Sequence, residues 1–146
     1  IMPSLVGSEM CIRDRLCMAL NIYHEARGEP LAGQIGVAHS VLNRMADSRY
    51  PDTACEVIKQ AKYHGWDMVN PIRYQCQYSW FCDGLSDKPQ DGKAMLEATI
   101  LAQHVLAGKS IDITEGATHY HADYVHPYWA DEMTTTIKLG SHIYYR

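Results

Sequence analysis

In Asn21-Ile22-Tyr23-His24-Glu25-Ala26-Arg27-Gly28-Glu29-Pro30 a carboxylate, Glu25, ends a helix that is otherwise largely apolar. Projected at about 100° per residue, Leu16 to Arg27 places Met18, Ile22, Ala26, Ala19, Tyr23, Leu16 and Leu20 over an arc of roughly 200°. A helix that apolar is buried over most of its surface. Glu25 falls at the edge of the arc, beside Asn21 and Met18, where a carboxyl is partly desolvated yet still reaches a cleft. Desolvation raises a carboxyl pKa toward the range of a general acid. Helix position alone also accommodates a solvated glutamate, or one paired with Arg27 or Arg44.

Working outward, Gly28 is a natural helix stop and Pro30 opens a second helix, Leu31 to about Met45. Its apolar residues recur at helical spacing, and Gly33 and Gly36 permit close approach, which predicts packing directly on the Glu25 helix. Tyr50-Pro51-Asp52-Thr53 reads as a turn whose Thr53 or Asp52 caps a short helix, Ala54 to Gln60. From Ala61 to Gly84 the helical period disappears, leaving loop and short strand, and the aromatic run Tyr74 to Phe81 reads as a strand. Gly92 to about Ala107 is helical, stopped by Gly108. Thr118 to Val125, Thr134 to Lys138 and Ile143 to Tyr145 are strand-like. Helices early and a small sheet late define an α+β domain.

The chain has 146 residues, enough for one domain. A net charge of −4 and a pI near 6.0 supply no field to hold nucleic acid. No stretch approaches the roughly 18 consecutive apolar residues of a membrane span. The segment Met2 to Arg15 carries no visible export signal and resembles a translated sequencing-adaptor remnant. Residues 1–15 are therefore expected to be a non-native leader and residues 16–146 the functional domain.

Setting aside Cys11 leaves Cys17, Cys55, Cys76 and Cys82, without the paired spacing of a structural zinc site. If Cys76 and Cys82 share one strand they lie about 20 Å apart, so each is expected to pair with Cys17 or Cys55. Four buried reduced thiols are the alternative.

Four ordered segments carry a resemblance. They are Ile22 to Pro30 with Gly33-Gln34 and Val41-Leu42-Asn43-Arg44; Tyr50-Pro51 with Cys55-Glu56-Val57-Ile58; Cys76-Gln77-Tyr78-Ser79-Trp80; and Gly116-Ala117-Thr118-His119-Tyr120-His121-Ala122, continuing through Pro127-Tyr128-Trp129-Ala130 to Gly140-Ser141-His142-Ile143-Tyr144-Tyr145-Arg146. Together they resemble the bacterial and phage cell-wall hydrolase family that includes the spore cortex-lytic germination enzymes. The resemblance implies a fold similar to goose-type lysozymes and soluble lytic transglycosylases. It implies cleavage of peptidoglycan glycan strands between N-acetylmuramic acid and N-acetylglucosamine by a lytic transglycosylase or muramidase, without cofactor or metal. It further implies a monomer acting at the cell envelope or in phage lysis.

By that resemblance Glu25 matches the family's catalytic glutamate, Gln77 and Ser79 the substrate-side strand, and Tyr120 with His121 the tyrosine-bearing motif that closes the site. A glycoside hydrolase normally adds a second carboxylate about 5–9.5 Å from the first. Glu29, Asp83, Asp123 and Asp131 are the candidates. Among the large aromatics, Trp66, Trp80, Tyr128 and Trp129 are candidates to stack on sugar faces, with no more than two expected to do so.

Other chemistries compete for the same residues. His119, His121 and His126 offer a three-histidine zinc site for an amidase or peptidase, although no HExxH pair accompanies them. A cysteine peptidase using Cys55 or Cys82 is weaker still, and a non-catalytic wall-binding module is the third alternative.

Overall fold

The computed structural model describes the backbone of residues 4–146 and side chains from Ile12 onward, so residues 1–3 and the Cys11 side chain lie outside the described residues. Helix α1 spans Ser4–Ala26, beginning well before the expected Leu16, since only Gly7 in between disfavours a helix. Asp14 on α1 accepts the backbone N–H of Cys55 at 3.1 Å. Helix α2 is Leu31–Met45, α3 is Ala54–Ile58 and α4 is Gly92–Leu106. The Thr53 hydroxyl accepts the Glu56 N–H to cap α3, and Asp91 caps α4 through the Ala94 N–H.

Helix α1 is central, packing against α2, α3 and α4. Met18, Ala19, Ile22 and Tyr23 bury against Ala38, Val41, Val57, Ile58, Ala102 and Val105 in one continuous core. Asn21, at the edge of the apolar arc, is fully buried, because Trp80 arrives over it and donates its indole N–H to the Asn21 side-chain oxygen at 2.9 Å. Among the described residues no helix is long and apolar enough to cross a membrane.

Two small antiparallel sheets complete the domain. Strand β1, Ala61–His64, pairs with β2, Asp67–Cys76, as a hairpin. Strands β3, His119–Ala122, β4, Thr135–Leu139, and β5, His142–Tyr145, form a sheet in the order β3-β5-β4, with Tyr120 opposite Tyr144. Gly36 of α2 faces this sheet. A Cβ there would stand 2.6 Å from Cζ of the fully buried Tyr144 and 3.0 Å from Leu139. The close approach that Gly36 permits is to the β5 tyrosine, whose hydroxyl donates to the Gly33 carbonyl at 3.2 Å, while the expected packing of α2 on the Glu25 helix is also present.

The run Tyr74 to Phe81 is not a strand. β2 ends at Cys76, Tyr74 adopts a left-handed backbone (φ 64°), and residues Ser79–Phe81 form a 3-10 turn. That turn corrects the cysteine pairing too. Cys76 and Cys82 bond to each other with Cα atoms 6.1 Å apart, because the chain doubles back between them, and Cys17 bonds to Cys55 at 5.3 Å.

Candidate active site

Glu25 sits in the last turn of α1, partly buried, where the helix meets the β3 sheet. Its carboxylate oxygen Oε1 accepts a short hydrogen bond from the Tyr120 hydroxyl. Strand β3 delivers that phenol, and the Tyr120 ring packs on Tyr144 and His142 at centroid distances of 5.4 and 5.0 Å. Burial pushes the Glu25 pKa above its ordinary value, opposed in turn by the Tyr120 hydrogen bond and by the charges of His24 and Arg44. Burial likewise lifts the Tyr120 phenol well above its ordinary value, so it remains a donor.

β3 is held in place by α2. Asn43 donates to the Ala117 carbonyl at 2.8 Å, and Arg44 Nε donates to the Thr118 carbonyl at 2.7 Å. These two bonds fix the residues immediately before β3, and with them the reach of Tyr120.

A pocket of about 90 Å³ opens over Glu25, lined also by Arg44, Gln77, Tyr78, His119, Tyr120 and Trp129. A larger depression of about 380 Å³, lined by Gln60, Ala61, Lys62, Gln75 and Cys76, shares Gln77 with it. The larger depression carries no titrating acid, whereas the smaller one holds Glu25.

Glu25 is the one carboxylate in the lining of its pocket. The Glu29 carboxylate accepts the Ser141 backbone N–H at 2.8 Å and its hydroxyl at 2.7 Å, and these bonds hold its pKa below the ordinary value. Asp83 accepts the Leu85 N–H at 2.9 Å, Asp123 pairs with Lys138 at 3.1 Å, and Asp131 pairs with His126 at 2.9 Å. None of these four lines the pocket over Glu25.

The expected site residues divide accordingly. Glu25, Gln77 and Tyr120 come together, whereas Ser79 and His121 stand outside the lining. Ser79 is exposed in the 3-10 turn. His121 is buried, with Nε2 bonded to the Tyr145 hydroxyl and Nδ1 to the Ala122 carbonyl, both at 2.7 Å. Of the four aromatic candidates only Trp129 lines the pocket. Trp66 and Tyr128 are 83% and 87% exposed, and Trp80 is a core residue. Arg44, Tyr78 and His119 enter the lining through tertiary packing. In the sequence Arg44 also stands as an ion-pair candidate for Glu25 and His119 as a zinc-ligand candidate, whereas Tyr78 is marked only by membership of the segments quoted above.

The three-histidine zinc reading is corrected by where the rings point. The His119 ring bonds the Thr118 hydroxyl, His121 is engaged at both nitrogens, and His126 turns outward to Asp131. Trp129 packs against both His119 and His121, at 5.1 and 5.8 Å. Among the described residues no group of three His, Cys, Asp or Glu side chains is placed to hold a metal ion. Cys55 and Cys82 are both consumed in disulfides, which removes the thiol of a cysteine peptidase.

A helix-borne glutamate beneath a cleft, closed by a tyrosine from a small antiparallel sheet, is the arrangement of a lysozyme-like α+β domain. The sequence profile of the Cell Wall Hydrolase family matches residues 28–145, directly beyond the turn that carries Glu25, and the chain belongs to this family. It is 51% identical over 41 residues to a spore cortex-lytic enzyme of Oceanobacillus iheyensis, a match covering 28% of this chain and 15% of that protein. A spore cortex-lytic enzyme of Halalkalibacterium halodurans is 49% identical over the same length, with 12% of that protein covered. The chain thus matches less than one sixth of the length of these curated relatives. In three dimensions it resembles the catalytic domain of the germination-specific lytic transglycosylase SleB from Bacillus anthracis, with a TM-score of 0.67, 25% identity, and 91% of this chain and 93% of that one covered. The catalytic domain of the Bacillus cereus SleB protein aligns at a TM-score of 0.56 and 26% identity over 91% and 89% of the two chains.

Proposed function

We propose that residues 16–146 cleave the glycan strands of peptidoglycan between N-acetylmuramic acid and N-acetylglucosamine, as a lytic transglycosylase in which Glu25 serves first as acid and then as base. The observation that carries this reading is that Glu25 is alone among carboxylates in its pocket and is driven toward its protonated form by burial.

In the first step the Glu25 proton passes to the glycosidic oxygen as the bond from that oxygen to the muramic acid anomeric carbon breaks, leaving an oxocarbenium-like sugar and a carboxylate. The muramic acid 6-hydroxyl then attacks its own anomeric carbon, its proton returns to Glu25, and a 1,6-anhydro sugar results. No water is consumed and no second carboxylate is needed, which suits a lining that supplies only one. A hydrolase would place a second acid across the cleft.

In this reading Tyr120 orients the acid and Gln77 hydrogen-bonds an acetamido group, while Ser79 and His121 support the loop and strand that carry them. The domain acts as a monomer outside the cytoplasm, on a glycan rather than on nucleic acid, and without a cofactor.

Glu25→Gln removes the transferable proton while preserving shape. Circular dichroism is expected to be unchanged and release of soluble muropeptides to fall by about 10²–10⁴-fold. Wild-type release by the folded variant overturns the proposal. Mass spectrometry of products from the wild-type protein separates the outcomes: anhydro-muramic ends support the transglycosylase, and hydrated reducing ends replace it with a muramidase.

A further inference from the structure

Arg44 is the most costly residue in the site. It is 3% exposed, yet among the described residues its side chain makes one hydrogen bond, from Nε to the Thr118 carbonyl, and its Nη1 is buried with no partner there. Its guanidinium lies over the rings of Tyr50 and Tyr78, at 5.0 and 5.8 Å from their centroids. No carboxylate pairs with it among the described residues. A buried cation without an anion is strongly destabilising. Holding the Thr118 carbonyl is a task that a neutral donor performs as well, so the charge itself calls for a use. Arg44 and Glu25 line the same pocket.

We infer that Arg44 is a positioning residue for Glu25: its guanidinium is the fixed positive charge that stabilises the carboxylate left behind when the Glu25 proton moves to the leaving oxygen. This rests on the reading of Glu25 as the proton donor. The requirement is transient. Before the first step Glu25 is a neutral acid, and after the second it is neutral again. Only between them does the pocket hold an anion, and in a poorly hydrated site that anion needs a counter-charge already in place.

The other groups facing Glu25 do not meet this requirement. Tyr120 from β3 donates a neutral hydrogen bond, and Tyr78, before the 3-10 turn, is held neutral by burial, which raises its pKa. His119 of β3 is pushed down to about 4, by burial first and then by Arg44 and Arg49, so it is uncharged near neutrality. His24, next to Glu25 on α1, stacks on Trp80 and bonds the Asp87 carbonyl at 2.9 Å. A guanidinium keeps its charge throughout the pH range of the reaction.

Two neutral and charged replacements separate this role from a structural one. Arg44→Gln keeps a donor for the Thr118 carbonyl and discards the charge, and Arg44→Lys keeps the charge. In pH profiles of muropeptide release, the alkaline limb that reports Glu25 is expected to move upward by about one to two pH units in Arg44→Gln, with maximal kcat lowered about tenfold or more. In Arg44→Lys the limb is expected to stay near its wild-type position. An unmoved limb in folded Arg44→Gln overturns the inference, even where Glu25→Gln is inactive and the reading of Glu25 itself stands. Wild-type protein offers a test independent of folding and of activity. The ¹⁵Nε resonance of Arg44 is expected to titrate with the same midpoint as the Glu25 carboxyl carbon, and an Arg44 resonance indifferent to that titration overturns the inference.

Discussion

Tyr120 and Glu25 share one short hydrogen bond, and the phenol acts on the acid in two opposed ways. It fixes the carboxyl in direction, and by favouring the ionised form it counteracts part of the burial that keeps Glu25 protonated. Tyr120→Phe should therefore move the alkaline limb of the pH profile upward while lowering kcat by about 10–100-fold, the range expected for one lost hydrogen bond to a developing charge. Initial rates of muropeptide release between pH 4 and 9 measure both, and a variant with lower kcat and an unmoved limb would reduce Tyr120 to a packing residue. For Glu25 the helical spacing marks only an acid at the margin of an apolar arc, which a solvated side chain also satisfies; the ordered segments that resemble the cell-wall hydrolase family are what single it out. The sequence offers Arg44 as a partner for Glu25, but not that, among the described residues, it stands there without a hydrogen-bonded carboxylate, and His119 is not legible as a neighbour of Glu25 at all. Nothing local marks that arrangement, and what sets their surroundings is the staple from α2 to the carbonyl of Thr118.

At the scale of elements, α2 and β5 meet through the absence of a side chain at Gly36. Gly36→Ala would drive a methyl against the Tyr144 ring, 2.6 Å from Cζ, in a place where that ring has no exposed surface to retreat to. Overpacking of this kind costs about 1–3 kcal/mol, read as a lowered midpoint at constant slope in urea unfolding. An unchanged midpoint would mean that β5 shifts freely. Helices α2 and α4 were readable to within a residue, because a long apolar period leaves little choice. The β1–β2 hairpin was not. β1 alternates over only four residues, β2 does not alternate, and the pairing slips register twice, so no sustained period of two survives in the residues. Tyr74 to Phe81 misled in the opposite way: aromatic composition favours a strand, while the Cys76–Cys82 bond and the burial of Trp80 against Asn21 impose a turn.

For the molecule as a whole, histidine governs the response to acid. Burial is the largest influence that lowers the pKa of His39, His119 and His142 below the ordinary 6.5, to about 4 for His119. A group that binds its proton less readily when folded favours the unfolded chain as pH falls, so stability is expected to decline from about pH 6.5 downward, with the His119 contribution lost by about pH 4. Below the ordinary carboxylate range, loss of the depressed Glu29 and Asp112 adds to the decline. Glu25 has the opposite sign, since its raised pKa makes protonation favourable to the fold. Calorimetry on the Glu25→Gln background removes that opposing contribution. Its melting temperature should be lower at pH 5 than at pH 7, and adding His119→Gln should flatten the slope; equal slopes with and without His119 would contradict its assignment.

The two disulfides span very different lengths of chain, with sequence separations of 38 and 6. The shorter one encloses Gln77 and Tyr78, two of the residues over Glu25, in a small covalent ring. A ring of that size has few conformations left to lose. Closing that ring restricts this wall of the pocket in advance, so a glycan strand bound as proposed would meet a preorganised surface, and the entropy lost on binding would fall on the strand rather than on the protein.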